Sequence, residues 1–318
     1  MHAWYWRWAM VTALLLALSG GVFVARGPAA RAAAVQQGDA QQWQVQVGAE
    51  SPDKAVQVLQ YYPAALSVNV GDTITWTNAA TEIHTVTFLA PGQERPEFDR
   101  SDPQQEQPQG NGELDGSGYL NSGVLEIGKT WAVTASQPGT YSYICLVHRQ
   151  QLGTVTVNPA GTPYEHSQAD YTAERTAADP IISEWQSRLA AYQPSVQTRD
   201  DGTREYVIDG GLGDGTAAVM RFAPQGVEVR VGDTVTWDNA DTETPHTITF
   251  GPIRGAPTEA WGTPTAFDGA SPLSSGYVGA DWPAGARYSV TFTAPGQFSY
   301  ICILHAPAFM LGSVTVTP

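Results

Sequence analysis

Tyr141-Ser-Tyr-Ile-Cys145-Leu-Val-His148 returns later in the chain, nearly unchanged, as Phe298-Ser-Tyr-Ile-Cys302-Ile-Leu-His305. The two cysteines are 157 residues apart (302 − 145). Each stretch runs on into a Gly-x-Val-Thr-Val segment, at 153–157 and 312–316. A match of this length between distant parts of one chain indicates an internal duplication.

A second pair of matching stretches lies upstream of the first. Val70-Gly-Asp-Thr-Ile-Thr-Trp76 leads to His84-Thr-Val-Thr-Phe88, and Val231-Gly-Asp-Thr-Val-Thr-Trp237 leads to His246-Thr-Ile-Thr-Phe250. The two histidines are 162 residues apart (246 − 84), close to the spacing of the cysteines. Each repeat therefore carries one histidine that is distant in sequence from a Cys-x-x-His motif.

The duplication predicts the domain organisation. A chain of 318 residues is long enough for two units that each bury a core. We place the first domain at 42–158, a connector at 159–203 and the second domain at 204–318. Gln93 to Glu113, rich in Gln, Pro, Asp and Glu, is predicted to be a solvated loop insertion in the first domain.

The connector lacks the strand pattern of the repeats. Its segment 179–192 has an amphipathic pattern typical of a helix, with Asp179 as the expected N-cap and Pro180 in the first turn. We therefore expect a partly helical connector that packs on a domain.

Short runs of alternating polar and apolar residues dominate both repeats, and β-branched and aromatic residues are frequent in them. Gly-Asp and Pro-Gly pairs mark turns between the runs at equivalent places. This pattern predicts an all-β fold of two Greek-key antiparallel β-sandwiches, with Trp76 and Trp237 in the cores. The predicted strands of the first repeat are Val68–Trp76, Thr85–Phe88, Trp131–Ala135, Thr140–Ile144 and Thr154–Val157.

The repeated Cys-x-x-His motif and the upstream histidine form a plausible metal ligand set. A thiolate is a soft ligand that favours copper, and two imidazoles complete a trigonal plane around the ion. A weak axial ligand, such as Met, Gln or a backbone oxygen, is common in sites of this kind. The sequence thus predicts one copper site in each domain.

Both repeats resemble the cupredoxins (blue copper proteins) of the plastocyanin/azurin family. The second repeat is the closer match, because Cys302-Ile-Leu-His305-Ala-Pro-Ala-Phe-Met310 has the family's Cys-x-x-His-x4-Met order. The resemblance implies a cupredoxin-like fold. It also implies that His246, Cys302 and His305 are equatorial copper ligands and that Met310 is the axial ligand.

The first repeat departs from this pattern after its second histidine. His84, Cys145 and His148 match the family's ligands, but no Met follows His148. Aligning the two repeats on the glycine that follows the loop puts Gln151 opposite Met310. We predict Gln151 as the axial ligand; the alternative is a three-coordinate site with Leu152 facing the copper.

A disulfide between the two cysteines is the competing explanation for their presence. Each cysteine, however, lies in the same local context of a separate domain and has its own histidine three residues later. Four of the six histidines occupy equivalent positions in the repeats, and only His2 and His166 have no repeat partner. We therefore favour two copper sites.

Copper bound by a thiolate and two imidazoles is suited to one-electron transfer. The predicted function is electron transport by two type 1 (blue) copper sites that cycle between Cu(I) and Cu(II). Enzymes that resemble this architecture need further histidines, but the sequence has no His-x-His pair and the cysteines follow Ile144 and Ile301. With His166 alone to spare, we predict no enzyme activity. A copper-dependent oxidoreductase with an interface catalytic copper and a copper-binding or storage module remain as alternatives.

The formal net charge is −15, with 31 acidic and 16 basic residues. This charge argues against nucleic acid as a partner and is compatible with cationic redox partner proteins.

The N-terminal segment 1–34 has the pattern of an export signal. An apolar run from Ala9 to Val24 is followed by Arg31-Ala-Ala-Ala34, with the small residues that signal cleavage requires. An uncleaved membrane anchor is the alternative. We expect a periplasmic, extracellular or cell-surface protein.

Overall fold

The computed structural model describes residues 39–241, 243–282, 284–308 and 310–318, and the predicted signal or anchor at 1–34 lies outside them. The alternating runs form strands, but the predicted strand Val68–Trp76 is wrong, because the chain turns at Val70 to Asp72 and divides the run between two strands of different sheets. The strands of the first half are β1 (Gln42–Glu50), β2 (Val56–Tyr62), β3 (Ala65–Asn69), β4 (Thr73–Asn78), β5 (Thr87–Phe88), β6 (Glu113–Leu114), β7 (Leu120–Asn121), β8 (Thr130–Ala135), β9 (Gly139–Ile144) and β10 (Leu152–Asn158).

The second half repeats this series with additional short strands. Its strands are β11 (Ser195–Thr198), β12 (Arg204–Asp209), β13 (Ala217–Val219), β14 (Gly226–Arg230), β15 (Thr234–Asp238), β16 (Thr249–Phe250), β17 (Ala260–Trp261), β18 (Leu273–Ser275), β19 (Arg287–Thr291), β20 (Gly296–Ile301) and β21 (Leu311–Thr317). The α-helices are α1 (Pro103–Glu106), α2 (Gln168–Ala173) and α3 (Ala178–Ala191), and short 3-10 turns lie at Glu174–Ala177, Pro264–Ala266 and Ala306–Ala308.

The strands of each half pair into two sheets, so the described part of the chain contains four. The strand orders are β13-β2-β1-β4-β8-β6 and β3-β10-β9-β5-β7 in the first half, and β11-β12-β15-β19 and β14-β21-β20-β16-β18-β17 in the second. The predicted all-β class is confirmed, but the sheets are mixed rather than purely antiparallel. The β9–β10 hairpin is antiparallel, whereas β1 pairs with β4 in parallel. Since other strands separate β1 from β4 in the chain, no hairpin forces them to be antiparallel.

The core of each half lies between its two sheets, and aromatic rings connect them. Trp76 on β4 contacts Tyr143 on β9 edge-on, with ring centroids 5.4 Å apart. The equivalent pair, Trp237 on β15 and Tyr300 on β20, has centroids 5.0 Å apart. All four side chains are buried, which confirms that the two tryptophans are core residues.

Strand β13 lies in the second half of the sequence but extends a sheet of the first half. It runs antiparallel to β2, with Ala217 opposite Val58 and Val219 opposite Val56. The N–H of Leu59 also donates to the carbonyl of Thr216, at 2.8 Å. The described residues from 39 onward belong to one compact unit. The boundary near 204 stays a prediction, and a cut there would remove a strand from the first half.

Helix α3 of the connector covers this junction. Its buried residues are Ala178 and Trp185. Trp185 packs in a cluster with Val56 of β2 and with Val219 of β13. In the described part of the chain, no helix combines the length and the apolar character that a bilayer crossing requires.

The predicted N-cap of this helix is wrong. Ala177, and not Asp179, is the N-cap, and no side chain caps the helix. The preceding 3-10 turn runs directly into α3, so the N–H of Ala178 bonds to carbonyl groups of that turn instead. Backbone continuity therefore replaces the side-chain cap that the sequence suggested.

The insertion is also more ordered than the predicted solvated loop. Most of it is exposed, but it contains the short helix α1, which is capped by the Asp102 side chain, and it buries Gln105. The Gln105 amide donates to the carbonyl of Glu97 at 3.1 Å.

Replacing Trp185 by alanine tests the junction. Removing a buried tryptophan leaves a cavity, so Trp185→Ala is expected to lower the free energy of unfolding by about 3–5 kcal/mol. Urea denaturation followed by circular dichroism measures it. Val196→Ala on β11 is the control, because Val196 is 49% exposed and its loss should change stability by less than about 0.5 kcal/mol. Equal effects of the two substitutions would argue against a tightly packed junction.

Candidate metal centres

Two groups of three side chains, one in each half, bring potential metal ligands together. Within each group, one ligand atom per residue lies within 4.8 Å of the others, and all the side chains are buried. The repeated motifs therefore meet in space in both halves. The first group is His84, Cys145 and His148, and the second is His246, Cys302 and His305.

The β9–β10 hairpin holds two members of the first group. Since β9 ends at Ile144, Cys145 is the first residue of the connecting loop. The Cys145 N–H donates to the Gln151 carbonyl at 3.0 Å, and the Gln151 N–H donates to the His148 carbonyl at 3.2 Å. These bonds close a tight loop that keeps the thiol and the imidazole close together.

The β20–β21 hairpin repeats this construction. The Cys302 N–H donates to the Met310 carbonyl at 3.1 Å, and the Met310 N–H donates to the His305 carbonyl at 3.2 Å. The longer loop of the second half is thus closed by the same pair of bonds.

The upstream histidines arrive from a neighbouring segment of the same sheet. His84 forms an isolated bridge with Leu125, and His246 forms one with Val278. The predicted strand Thr85–Phe88 is shorter than expected, because only Thr87 and Phe88 pair as β5. Since β5 lies beside β9, the histidine reaches the cysteine from the adjacent strand.

The ligand atoms converge with spacings that suit one bound ion. In the second group, the Nδ1 atoms of His246 and His305 are 3.0 Å apart, and the Cys302 sulfur lies 3.7 and 3.4 Å from them. In the first group, the Cys145 sulfur lies 3.7 Å from His148 Nδ1. Atoms that each lie about 2 Å from a common ion have separations of this order. The donor set fits copper, because it combines a soft thiolate with imidazoles.

The two expected axial residues lie at these groups. Gln151 is buried, and its Oε1 lies 2.7 Å from His84 Nδ1, while its Nε2 has no hydrogen-bond partner. Leu152 is 58% exposed, so its side chain does not face the buried group. Met310 is fully buried in the same core cluster as Cys302. The assignment of Gln151 as an axial ligand stays a prediction.

The surroundings of both cysteines lower the pKa of the thiol. Burial alone would raise the pKa of Cys145, but hydrogen bonds to His148 and His84 hold it well below its usual value. Burial also opposes ionisation of Cys302, and the nearby charge of His305 lowers its pKa. Neither cysteine forms a disulfide. A buried thiolate beside imidazoles is the state that binds a metal ion.

Backbone N–H groups point at both sulfurs. The N–H of Thr85 lies 3.4 Å from the Cys145 sulfur, and the equivalent N–H of Thr247 lies 3.3 Å from the Cys302 sulfur. The His148 N–H makes a further contact with the Cys145 sulfur at 3.5 Å. Such outer contacts orient a ligand and tune the electron density at its sulfur.

A glycine makes room for each upstream imidazole. A Cβ added to Gly48 would lie 2.7 Å from His84 Nε2, and one added to Gly211 would lie 2.2 Å from His246 Cδ2. Real Cβ atoms do not approach other atoms so closely. Each glycine therefore leaves free the space that the upstream imidazole ring occupies.

Glu82 is a site residue that the sequence analysis missed. It is 9% exposed, and its two carboxylate oxygens lie 3.6 Å from His148 Nε2 and 3.4 Å from His305 Nε2. Burial would raise its pKa, but His305, His148 and His84 hold it lower, at about 2. The only sequence signal was an acidic residue shortly before each upstream histidine, Glu82 before His84 and Glu243 before His246.

Two charged side chains hold the loop of the first group. Arg95, from the insertion, donates to the carbonyls of Leu146 and Arg149, both at 3.0 Å. Glu243, from the second half, accepts hydrogen bonds from the N–H groups of Arg149 and Gln150. The insertion and the second half therefore both help to shape the first centre.

His166 does not join either group. It is exposed in the connector, where its ring packs against Tyr171 with centroids 5.4 Å apart. His2 lies outside the described residues.

Comparison with known proteins relates both halves to one family. The sequence profile of the copper binding proteins of the plastocyanin/azurin family matches residues 45–158 and 211–317. Chloroplast plastocyanin of barley (Hordeum vulgare) is 32% identical over 98 residues, which cover 31% of this chain and 56% of that protein. The chain thus matches a little over half the length of the barley protein.

Two further proteins are similar to parts of this chain. Plastocyanin of Scenedesmus fuscus is 30% identical over 105 residues, which cover 33% of this chain and 94% of that protein. A structure of an oxidised amicyanin variant is 23% identical and covers 37% of this chain and 82% of that chain, with a TM-score of 0.26.

Gly211→Ala tests the packing of the second group. The added methyl group must displace the His246 ring, so the copper affinity of that half is expected to fall by roughly 10–100-fold, as when other supporting contacts of metal ligands are lost. Competition with a chelator measures the affinity. Gly226→Ala is the matched control, since its added Cβ would meet only Ser313 Oγ, at 3.7 Å. Unchanged affinity in Gly211→Ala would show that the ring position is not required.

Proposed function

The chain belongs to the plastocyanin/azurin family of copper-binding proteins, and we propose that it is an exported, two-domain type 1 copper protein that carries single electrons. The observation that supports this most directly is the pair of buried His/Cys/His groups with converging ligand atoms. The proposed ligands are His84, Cys145, His148 and Gln151 in one centre and His246, Cys302, His305 and Met310 in the other.

The protein contributes a rigid and water-excluded ligand set. Bound copper would supply the Cu(I)/Cu(II) couple. The hairpins hold the cysteine and one histidine of each centre, and β-bridges hold His84 and His246. The ligands would therefore move little when bound copper changes its oxidation state. His305, the most exposed of these cysteines and histidines, is only 7% exposed.

This burial favours electron transfer over catalysis. A catalytic metal site keeps an open coordination position that a substrate can reach, whereas these groups are enclosed by side chains. An additional catalytic copper would need spare imidazoles, and His166 packs against Tyr171. We therefore propose that the protein is not an enzyme.

The partners follow from the charge. With a formal net charge of −15, the surface would attract cationic redox proteins and repel nucleic acid. We propose that these partners are met outside the cytoplasm, after export.

Copper loading tests the proposal. We expect two coppers per chain and an intense visible thiolate-to-Cu(II) absorption band from each. Cys145→Ser and Cys302→Ser should each abolish one band and one copper, because each removes one thiolate. Metal analysis and absorption spectroscopy of the reconstituted full-length protein provide the measurement. A single copper in the unsubstituted chain, or bands that survive both substitutions, would refute it.

The two centres should also differ in reduction potential. An amide oxygen from Gln151 is a harder ligand than the Met310 thioether and favours Cu(II), so the first centre should have the lower potential. Gln151→Met is expected to raise it toward that of the second. A difference of about 59 mV corresponds to a tenfold equilibrium bias for one electron.

The potentials are measured by spectroelectrochemistry in full-length chains. Cys302→Ser isolates the first centre, and Cys145→Ser isolates the second. Gln150→Met is the control, because Gln150 is the exposed neighbour of Gln151. A higher potential in the first centre, or no response to Gln151→Met, would contradict the assignment of Gln151 as a ligand.

A further inference from the structure

The two centres face each other across a single carboxylate. His148 directs Nδ1 at the Cys145 sulfur, and His305 directs Nδ1 at the Cys302 sulfur. The opposite ring nitrogen of each histidine faces Glu82, at 3.6 Å for His148 and 3.4 Å for His305. One side chain of the first half therefore touches an imidazole of each centre.

The chemistry of the three groups is complementary. An imidazole that binds a metal through Nδ1 carries its proton on Nε2, and this N–H usually donates to a carboxylate, a carbonyl or water. A carboxylate offers acceptors only, with lone pairs on both oxygens. Glu82 can thus accept from both rings at once. In the described structure, His148 Nε2 has no hydrogen-bond partner, and Glu82 is its ion-pair neighbour.

Contacts around Glu82 hold the two halves in fixed positions relative to each other. Glu243 of the second half reaches in the opposite direction, to the backbone N–H groups of Arg149 and Gln150. The Arg149 guanidinium also pairs with Asp281 of the second half, at 3.0 Å. Together with the pairing of β13, these contacts fix the distance between the two centres within one folded chain.

We propose that Glu82 couples the two centres, as a positioning residue that joins the His148 and His305 rings into one path for electron exchange within a single chain. This inference rests on the proposed function. One electron leaves the reduced centre of one half and enters the oxidised centre of the other half. No bond is formed or broken and no proton is exchanged, so Glu82 remains a carboxylate throughout.

The coupling has two measurable consequences. The negative charge beside both imidazoles stabilises the oxidised state of both centres, so its removal should raise both potentials together. Because both centres lie in one chain, electron exchange between the halves should not depend on protein concentration, and the contacts of Glu82 with both rings should make it faster. A residue that only held the halves together would leave both potentials unchanged.

Glu82→Gln and Glu82→Ala test the proposal in the full-length, copper-loaded chain. Glu82→Gln keeps the volume of the side chain and removes its charge, which guards against loss of folding. Asp281→Asn is the control. It removes one carboxylate from the same interface, and that carboxylate pairs with Arg149 and touches no imidazole. Both Glu82 variants should raise both potentials, while Asp281→Asn should leave them nearly unchanged.

Flash reduction of one centre measures the exchange rate. In the unsubstituted chain and in Asp281→Asn, the rate should not depend on protein concentration. In Glu82→Ala it should fall by roughly tenfold or more, which corresponds to about 1.4 kcal/mol of barrier. Nitrogen-15 NMR of the reduced, diamagnetic protein is the independent readout. It should show exchange-protected Nε2–H signals of His148 and His305 that Glu82→Ala loses and Asp281→Asn keeps.

The outcomes separate this inference from the function on which it rests. Absence of the thiolate bands in the unsubstituted chain would overturn the proposed function. Normal bands with unaltered potentials and exchange rates in the Glu82 variants would overturn the coupling alone and leave Glu82 a structural contact. If the unsubstituted chain bound a third copper that Glu82→Ala lost, Glu82 would be a metal ligand, and the proposed coupling would also be overturned.

Discussion

Each half buries a cysteine with two histidines, and this burial is the constraint on which the rest of the structure depends. Buried polar atoms require partners, and a charged group in a protein interior is costly unless it is paired. The ring nitrogens of His246 and His305 face each other at 3.0 Å, an arrangement that a shared cation between them would satisfy. The closed hairpins and the glycine beside each upstream ring keep these groups from relaxing apart.

Much of the fold and most of the candidate ligands could be predicted from local patterns. Cys145 and His148 are three residues apart, so a short hairpin loop brings them together. Their distant partner, His84, was identifiable because the chain contains the same set twice. The core role of Trp76 followed from strand alternation, since a period of two assigns each residue to one face.

The features that could not be predicted depend on how the halves meet. To assign β13 to a sheet of the first half, one must know that β2 would otherwise be an unpaired edge strand of that sheet. No local sequence pattern carries that information. Glu82 resembled any other polar loop residue, because its neighbours His148 and His305 lie 66 and 223 residues away in sequence. The N-cap at Asp179 failed for a related reason, since the preceding turn continued into the helix.

The contact between the halves bears on how electrons reach the protein. The Nε2 edges of the buried residues His148 and His305 both face Glu82, so a partner protein cannot contact both centres through those edges. Electrons from outside would enter by another route.

Diffraction at the copper absorption edge from crystals of the copper-loaded chain would test this account most directly. We expect an anomalous peak inside each His/Cys/His group, with the Glu82 carboxylate between the two peaks and bound to neither ion. A peak in one group only, or a peak at Glu82 between the Nε2 atoms of His148 and His305, would contradict it.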